Sequence, residues 1–396
     1  MKKIKLAIGL YATMLGMASA QSVGDNPNYK KEKLKLEEVN FIGSYYSQDG
    51  NNSAVTGGIG TEYLYDISNS IDFKLTKIDK KKRKHTLLTD INLDYYSSAS
   101  SDNVNLNTVS GPSRDDVHFY PSLNWSMKDD SKGHTIGAGV SYSHEWDYFS
   151  KGVNLSYAKL SKDKNTEIGL KLNMFLDNWD VIIPAELRSQ QSGQAKQNLS
   201  PRNTYNAALS WSRVINKDLQ ISAVLEPTYQ SGLLATSFHR VYFSDASLNI
   251  EKLPTSRFKI PIGFRANYFV GDKVIIRSYY RYYQDDWGMK AHTFNLETPI
   301  KLSSFFSVSP YYRFNTQTAV KYFAPYQKHS TTETFYTSDY DLSAFDSHFV
   351  GSGLRYSPVG GVLGIKSLNM IELRYGHYWR SNTLSANIVT LQMRWK

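Results

Sequence analysis

The sequence predicts an all-β fold: a transmembrane, antiparallel, up-and-down β-barrel of about 16 strands, or about 14 if short neighbours merge. Three observations predict it. Apolar and polar residues alternate with period 2 almost from end to end. The segments between alternating runs sort into a tight set and a long set. Aromatic residues are abundant, with 29 Tyr, 18 Phe and 7 Trp. A membrane barrel needs such rings at both head-group levels.

The alternation is clearest between Phe258 and Tyr268. Phe258, Ile260, Ile262, Phe264, Ala266 and Tyr268 share one face, and Lys259, Pro261, Gly263, Arg265 and Asn267 share the other. A wall between lipid and water requires that pattern. Ile168, Leu170, Leu172, Met174 and Leu176 repeat it, as do Val389, Leu391, Met393 and Trp395. Strands are expected over 34–47, 59–77, 85–98, 116–127, 134–147, 152–160, 166–180, 204–214, 218–230, 257–270, 273–284, 291–301, 305–319, 347–357, 367–380 and 385–396.

The connections set the orientation. Tight polar turns fall at 79–84, 129–133, 161–165, 216–218, 271–273 and 302–304. Long segments fall near 99–115, 181–203, 231–256 and 320–346. Short turns belong to the periplasmic end of such a barrel and long loops to the outer end. A soluble β-sandwich is the competing reading, but it gives loops no reason to sort by length.

The chain starts with Lys2, Lys3 and Lys5, then the apolar stretch 6–16, then Ala18-Ser19-Ala20. That is the pattern of a cleaved secretory leader. The expected organisation is a signal peptide over 1–20, a flexible tail over 21–33 and a barrel over 34–396, in the outer membrane. Losing the three leader lysines takes the formal charge from +10 to +7. For an exported chain this points to membrane lipid, lipopolysaccharide phosphates or anionic solutes, not nucleic acid. With 0 Cys, thiol chemistry and thiolate metal sites are excluded. No apolar run after the leader is long enough for a spanning helix.

The charges fall largely on one strand face. In the C-terminal half they are Lys259, Arg265, Arg277, Arg281, Asp285, Glu297, Lys301, Arg313, Arg355, Glu372, Arg374, Arg380 and Arg394. An Arg or Lys at the lipid midplane costs ~2–4 kcal/mol. About ten would cost far more than the ~5–15 kcal/mol by which a fold is stable, so this face is luminal. In the N-terminal half the luminal set leans acidic: Asp72, Asp90, Asp94, Glu145, Asp177 and Glu226, with Lys74 and Lys171 as cations. Opposed acidic and basic walls select solutes by charge and shape. The alternative is a static salt-bridge network in a barrel filled by its own loops, with 231–256 and 320–346 as the filling segments.

Other chemistry is thin. Asp285-Asp286-Trp287-Gly288 reads as a turn at a strand end. Asp339, Asp341 and Asp346 offer oxygen ligands for Ca²⁺ but lack the glycine and distal glutamate of a calcium loop. His239, His292, His329, His348 and His377 show no zinc-site spacing, although His239, Arg240 and His292 suggest a network near the outer rim. Gly57-Gly58-Ile59-Gly60 precedes no helix and reads as a loop or bulge, not a phosphate cradle. No catalytic, cofactor or metal residues are assigned.

Several words of the sequence carry a resemblance. They are Phe238-His239-Arg240-Val241-Tyr242-Phe243, Leu253-Pro254, Tyr279-Tyr280-Arg281-Tyr282-Tyr283 with Asp285-Asp286-Trp287-Gly288, and Ala291-His292-Thr293. Tyr311-Tyr312-Arg313, Tyr322-Phe323-Ala324-Pro325-Tyr326, Thr337-Ser338-Asp339-Tyr340-Asp341-Leu342-Ser343 and Gly57-Gly58-Ile59-Gly60-Thr61-Glu62 extend it. Over nearly the whole mature chain it resembles an uncharacterised, Tyr-rich family of Bacteroidota-type outer-membrane barrels. The resemblance implies genes nearby for a thioredoxin-like protein, a small lipoprotein and a flavin transferase, hence envelope redox or flavoprotein partners.

The expected function is therefore non-enzymatic. It is a porin-like conduit for polar or anionic solutes, in which Arg265, Arg277, Arg281, Arg313 and Arg374 face Asp90, Asp94 and Glu226. The alternative is a plugged barrel that scaffolds an envelope assembly. Insertion by the barrel-assembly machinery and contact with periplasmic or lipoprotein partners go with either.

Overall fold

The computed structural model describes residues 33–97, 115–188 and 196–396. The expected leader over 1–20, nearly all of the tail over 21–33, nearly all of the segment 99–115 and the centre of 181–203 lie outside the described residues. Among those described, helix is confined to the 3-10 turns Ala54–Thr56, Ala185–Leu187 and Tyr340–Leu342.

Nineteen strand segments join in one antiparallel sheet. Three wall strands are each split by a proline, at Pro121, Pro227 and Pro299. Proline has no N–H to give to a ladder, so each split costs the wall a bond and bends the strand. Rejoining the halves leaves sixteen wall strands. They are β1 (Lys35–Asp49), β2 (Leu64–Ile78), β3 (Lys84–Ser97), β4 (Asp115–Phe119 with Ser122–Asp129), β5 (His134–His144), β6 (Tyr148–Leu160), β7 (Thr166–Ile182) and β8 (Lys196–Val214). The ring continues with β9 (Leu219–Leu225 with Thr228–Gly232), β10 (Ser256–Val270), β11 (Val274–Asp285) and β12 (Lys290–Glu297 with Ile300–Lys301). It ends with β13 (Phe306–Gln317), β14 (Phe345–Tyr356), β15 (Leu368–Arg380) and β16 (Ser385–Trp395).

Each strand pairs with its sequence neighbours, and β1 closes on β16 from Val39↔Trp395 to Asp49↔Ser385. Closure removes both sheet edges, which is what a β-structure in lipid requires. The expected strands agree closely, apart from a later start in β2 and earlier starts in β6 and β8.

The two faces separate as period 2 demands. Phe258, Phe264 and Tyr268 of β10 are exposed on the outer surface, as are Ile168, Leu170 and Leu172 of β7 and Leu373 and Tyr375 of β15. An apolar belt of this kind contacts hydrocarbon in a membrane barrel, so bare leucines here are the favourable arrangement. The architecture is that of an outer-membrane barrel. Turns after β2, β4, β6, β8, β10 and β12 are tight, and the long segments lie at the opposite end. One connection departs from the tight set. Residues 357–367, between β14 and β15, form a protruding turn in which Val359 is 95% and Leu363 90% exposed.

Candidate functional site: a charged lumen beneath an interlocked mouth

Strands β10 to β15 carry the cations, because Lys259, Arg265, Arg277, Arg281, Arg313, Arg355 and Arg374 stand in the inward frame of their strands. Some are paired. Arg374 reaches Glu297 at 2.9 Å and Glu372 at 2.8 Å, Arg355 reaches Glu372 at 2.7 Å, and Arg277 reaches Glu297 at 3.5 Å. This ladder links β11, β12, β14 and β15. Arg374 crosses two intervening strands by lying over the Tyr311 ring, 4.9 Å from its centroid. Tyr311 can lie close to the wall because Gly351 and Gly376 face each other in register beside it. A Cβ on either would collide with its hydroxyl.

Others are not paired. Among the described residues, Lys259, Arg265, Arg281 and Arg313 make no ion pair. Arg265 stacks 5.4 Å from the Tyr279 centroid and Arg313 lies 5.9 Å from that of Phe349. A cavity of about 280 Å³ opens between Glu297, Tyr311, Arg313, Phe349, Arg374 and Thr390.

Across the ring, β2 to β5 carry carboxylates. Asp72 and Asp90 are cross-strand partners, and like charges in that relation repel. Their neighbours are neutral donors. Asn40 donates to Asp72 at 2.9 Å, Ser122 to Asp90 at 2.8 Å, Tyr120 to Asp94 at 3.2 Å and Tyr96 to Glu145 at 2.8 Å. His118 stands between Asp94, at 3.7 Å, and Glu145, at 3.5 Å. In a closed ring of sixteen, β3 and β11 are diametrically opposite, so the acidic and basic arcs face each other. Two expected members of the acidic arc are elsewhere. Glu226 sits at the Pro227 break of β9, beside β10, with its N–H on the Pro261 carbonyl at 3.0 Å. Asp177 of β7 is bound by Arg202 of β8 at 3.0 Å.

Loops cross the outer mouth. A short ribbon, Arg240–Tyr242 with Leu248–Ile250, lies in the loop between β9 and β10. Arg240 binds Glu186, in the loop after β7, and donates to the Val55 carbonyl, in the loop after β1, at 2.9 Å. These two loops leave the ring six strands apart, and the loop of Arg240 leaves it eight strands from the one after β1, so a single buried guanidinium ties opposite sides of the rim. The ribbon loop also pairs with the loop between β13 and β14 through Lys252 and Tyr336, at 2.8 and 3.1 Å. Apolar packing holds both: Leu253, Trp287, Met289 and Val320 form one cluster, and Val241, Phe243 and Tyr336 another. His329, 1% exposed, bonds Glu333 at 2.6 Å and the Thr337 carbonyl at 2.9 Å. Asp341 is bound by Arg380 of β15.

Beneath this lies a second cavity of about 260 Å³, lined by Arg202, Arg257, Lys259, Glu251, Asp339 and Trp287. Asp285 holds the lining residue Arg257. It accepts from Arg257 Nε at 2.9 Å and Tyr283 at 2.7 Å, and its other oxygen accepts from the Met289 N–H at 3.0 Å. It is thus both the turn residue the sequence suggested and a buried anchor for an arginine. Arg202, Arg257 and Glu251 were not singled out in the sequence. Arg257 was legible, being in frame with Lys259 and Arg265; Arg202 depends on the pairing of β8 with β7, where it meets Asp177 in register, and Glu251 on loop packing.

One expectation is corrected. His292 takes no part in a network with His239 and Arg240, since it faces outward on β12 and bonds Tyr280 at 2.7 Å. Asp339, Asp341 and Asp346 do not converge as a calcium site. Asp341 serves Arg380, the Asp346 N–H takes Ser381 at 3.0 Å, and Asp339 turns towards His239 and Glu251. Burial pushes the Asp339 carboxyl up to about 6. The glycines 57, 58 and 60 all have positive φ and form a loop packed on Tyr242 and Ser338.

The chain is similar to several solved structures at low identity. Solved structures that it resembles include a BenF-like porin from Pseudomonas fluorescens Pf-5, at 10% identity and TM-score 0.42, covering 91% of this chain and 99% of that one. Another is OccK1 (OpdK) of Pseudomonas aeruginosa, at 8% identity and TM-score 0.41, covering 90% and 97%. A third is a bacterial polysaccharide outer membrane secretin, at 10% identity and TM-score 0.44, covering 90% and 98%. No curated protein matches the chain. Residues 89–359, running from β3 past β14 and including both mouth loops, match one family throughout, and the chain belongs to it: the family described as "Protein of unknown function (DUF3570)".

Proposed function

We propose that this barrel is a conduit for small polar or anionic solutes across the outer membrane, with its turns in the periplasm and its mouth closed by its own loops in the state described. One observation carries the reading. Lys259, Arg265, Arg281 and Arg313 face the lumen without a carboxylate partner, opposite a wall whose carboxylates are held by neutral donors. Pairing each charge locally would stabilise the fold more, since like charges in register repel. Leaving them separated sets a field across the lumen, and such a field draws in and orients charged solutes. The test is single-channel recording in planar bilayers, with folding verified by heat-modifiable gel mobility. Conductance steps with anion preference are expected. Silence from a verified folded sample, with the mouth loops also shortened, would end the conduit reading.

A second reading has its own support. The mouth is locked by buried polar bonds as well as apolar packing, and the turn 357–367 displays Val359 and Leu363 bare at the opposite end. A barrel permanently closed in this way would act as a scaffold for periplasmic or lipoprotein partners, including redox or flavoprotein ones. Insertion by the barrel-assembly machinery and an outer leaflet of lipopolysaccharide suit both readings.

A further inference from the structure

His239, Glu251 and Asp339 converge at the junction of the two long mouth loops, with one donor atom of each within 4.8 Å of the others. Two observations make this more than a crowd of charges. First, His239 Nδ1 is shielded from solvent and has no hydrogen-bond partner among the described residues, although Glu251 Oε1 stands 3.8 Å away. A buried ring nitrogen left unbonded is costly. Second, the carboxylates are already aimed. Thr337 donates its hydroxyl to Glu251 Oε1 and the Thr236 N–H donates to Oε2 at 2.7 Å, while the Asp341 N–H donates to Asp339 Oδ1 at 2.9 Å. The Glu251 N–H bonds the His239 carbonyl at 2.8 Å, so their backbones are fixed relative to each other. Outer hydrogen bonds of this kind are how proteins orient metal ligands.

We propose that these three residues bind one first-row divalent cation, of which Zn²⁺ is the best fit, and that the ion pins the loop of residues 233–255 to the loop of residues 318–344. One imidazole and two carboxylates suit Zn²⁺ with a fourth position for water. Two donors about 2.1 Å from a tetrahedral ion stand roughly 3.4 Å apart; His239 Nδ1 and Glu251 Oε1, at 3.8 Å, are already close to that spacing. Ca²⁺ is a poor match, because it takes about 6–8 oxygen ligands. The site stands whether the lumen conducts or not.

The experiment uses the untagged full barrel folded in detergent and stripped with a chelator. Zn²⁺ is titrated by calorimetry, and trypsin cleavage after the exposed Lys252 and Lys328 is followed with and without the ion. One equivalent should bind, Ca²⁺ should not displace it, and cleavage should slow. His239→Ala and Glu251→Gln should each weaken binding at least roughly tenfold and abolish the protection. Asp245→Asn, on the same loop but outside the cluster, should change neither. Gel mobility shows that each variant keeps its barrel. No saturable binding to the wild-type barrel, or equal binding by both variants, overturns the proposal. In that case the cluster is only a histidine–carboxylate ion pair.

Discussion

Arg257 and Asp285 meet inside the barrel on neighbouring strands, with the Asp285 side chain at 0% exposure and the guanidinium 4.3 Å from the Trp287 ring centroid. Removing one partner leaves a charge buried without its counter-charge. Asp285→Asn should therefore destabilise the barrel by about 3–5 kcal/mol. Replacing both by apolar residues of similar volume should cost much less. Urea unfolding of the single and double variants checks this. If the two cost the same, burial of the unpaired arginine is not what the aspartate prevents.

Selectivity should follow the unpaired cations. Arg281→Ala and Arg313→Ala should each reduce the anion-to-cation permeability ratio by roughly twofold or more. Glu297→Gln frees Arg277 and part of Arg374 and should move the ratio the other way. Reversal potentials in a salt gradient read all three. A Glu297→Gln shift towards cations would contradict the proposed wall.

Gly351 and Gly376 leave the space in which Tyr311 lies against the wall. Gly376→Val should displace the Tyr311 ring into the lumen and break the Arg374 contact with it. The expected result is lower conductance with the strand content unchanged by circular dichroism. The ring has nowhere else to go, because Phe349 flanks the same slot.

The loop of residues 318–344 should loosen in acid. Burial raises the Glu333 carboxyl, but the Ser330 N–H and the His329 ring outweigh it and hold the group below 4.5. A carboxyl lowered on folding stabilises the fold above its unfolded pKa, and that stabilisation is lost as pH falls through the folded value. Amide exchange, corrected for its intrinsic pH dependence, should show protection at residues 329–337 that holds at pH 6 and declines below about 4.5. Glu333→Gln should remove that dependence.

Much of this was legible before folding was considered. Each strand must satisfy lipid on one side and water on the other, so Phe258 to Tyr268 announces both its geometry and its inward face. The cations of β10 to β15 follow from the same frame. What was not legible depends on residues far apart in sequence. His239 and Asp339 meet only because two loops interlock over the mouth. His292 was misjudged because a histidine at an expected rim gives no local sign of which face it takes. Its neighbour Tyr280, on the outward face, settled that.

The Arg240 ribbon has a mechanical consequence. Both mouth loops are tethered at each end to the rim, one between β9 and β10 and the other between β13 and β14. Neither can depart as a separate cork, and neither has to be threaded in after the wall has closed. On the conduit reading, the passage clears only if these loops swing aside while both of their ends stay attached. The contacts that hold them across the mouth would then stay within reach, so on that reading the closure resets itself.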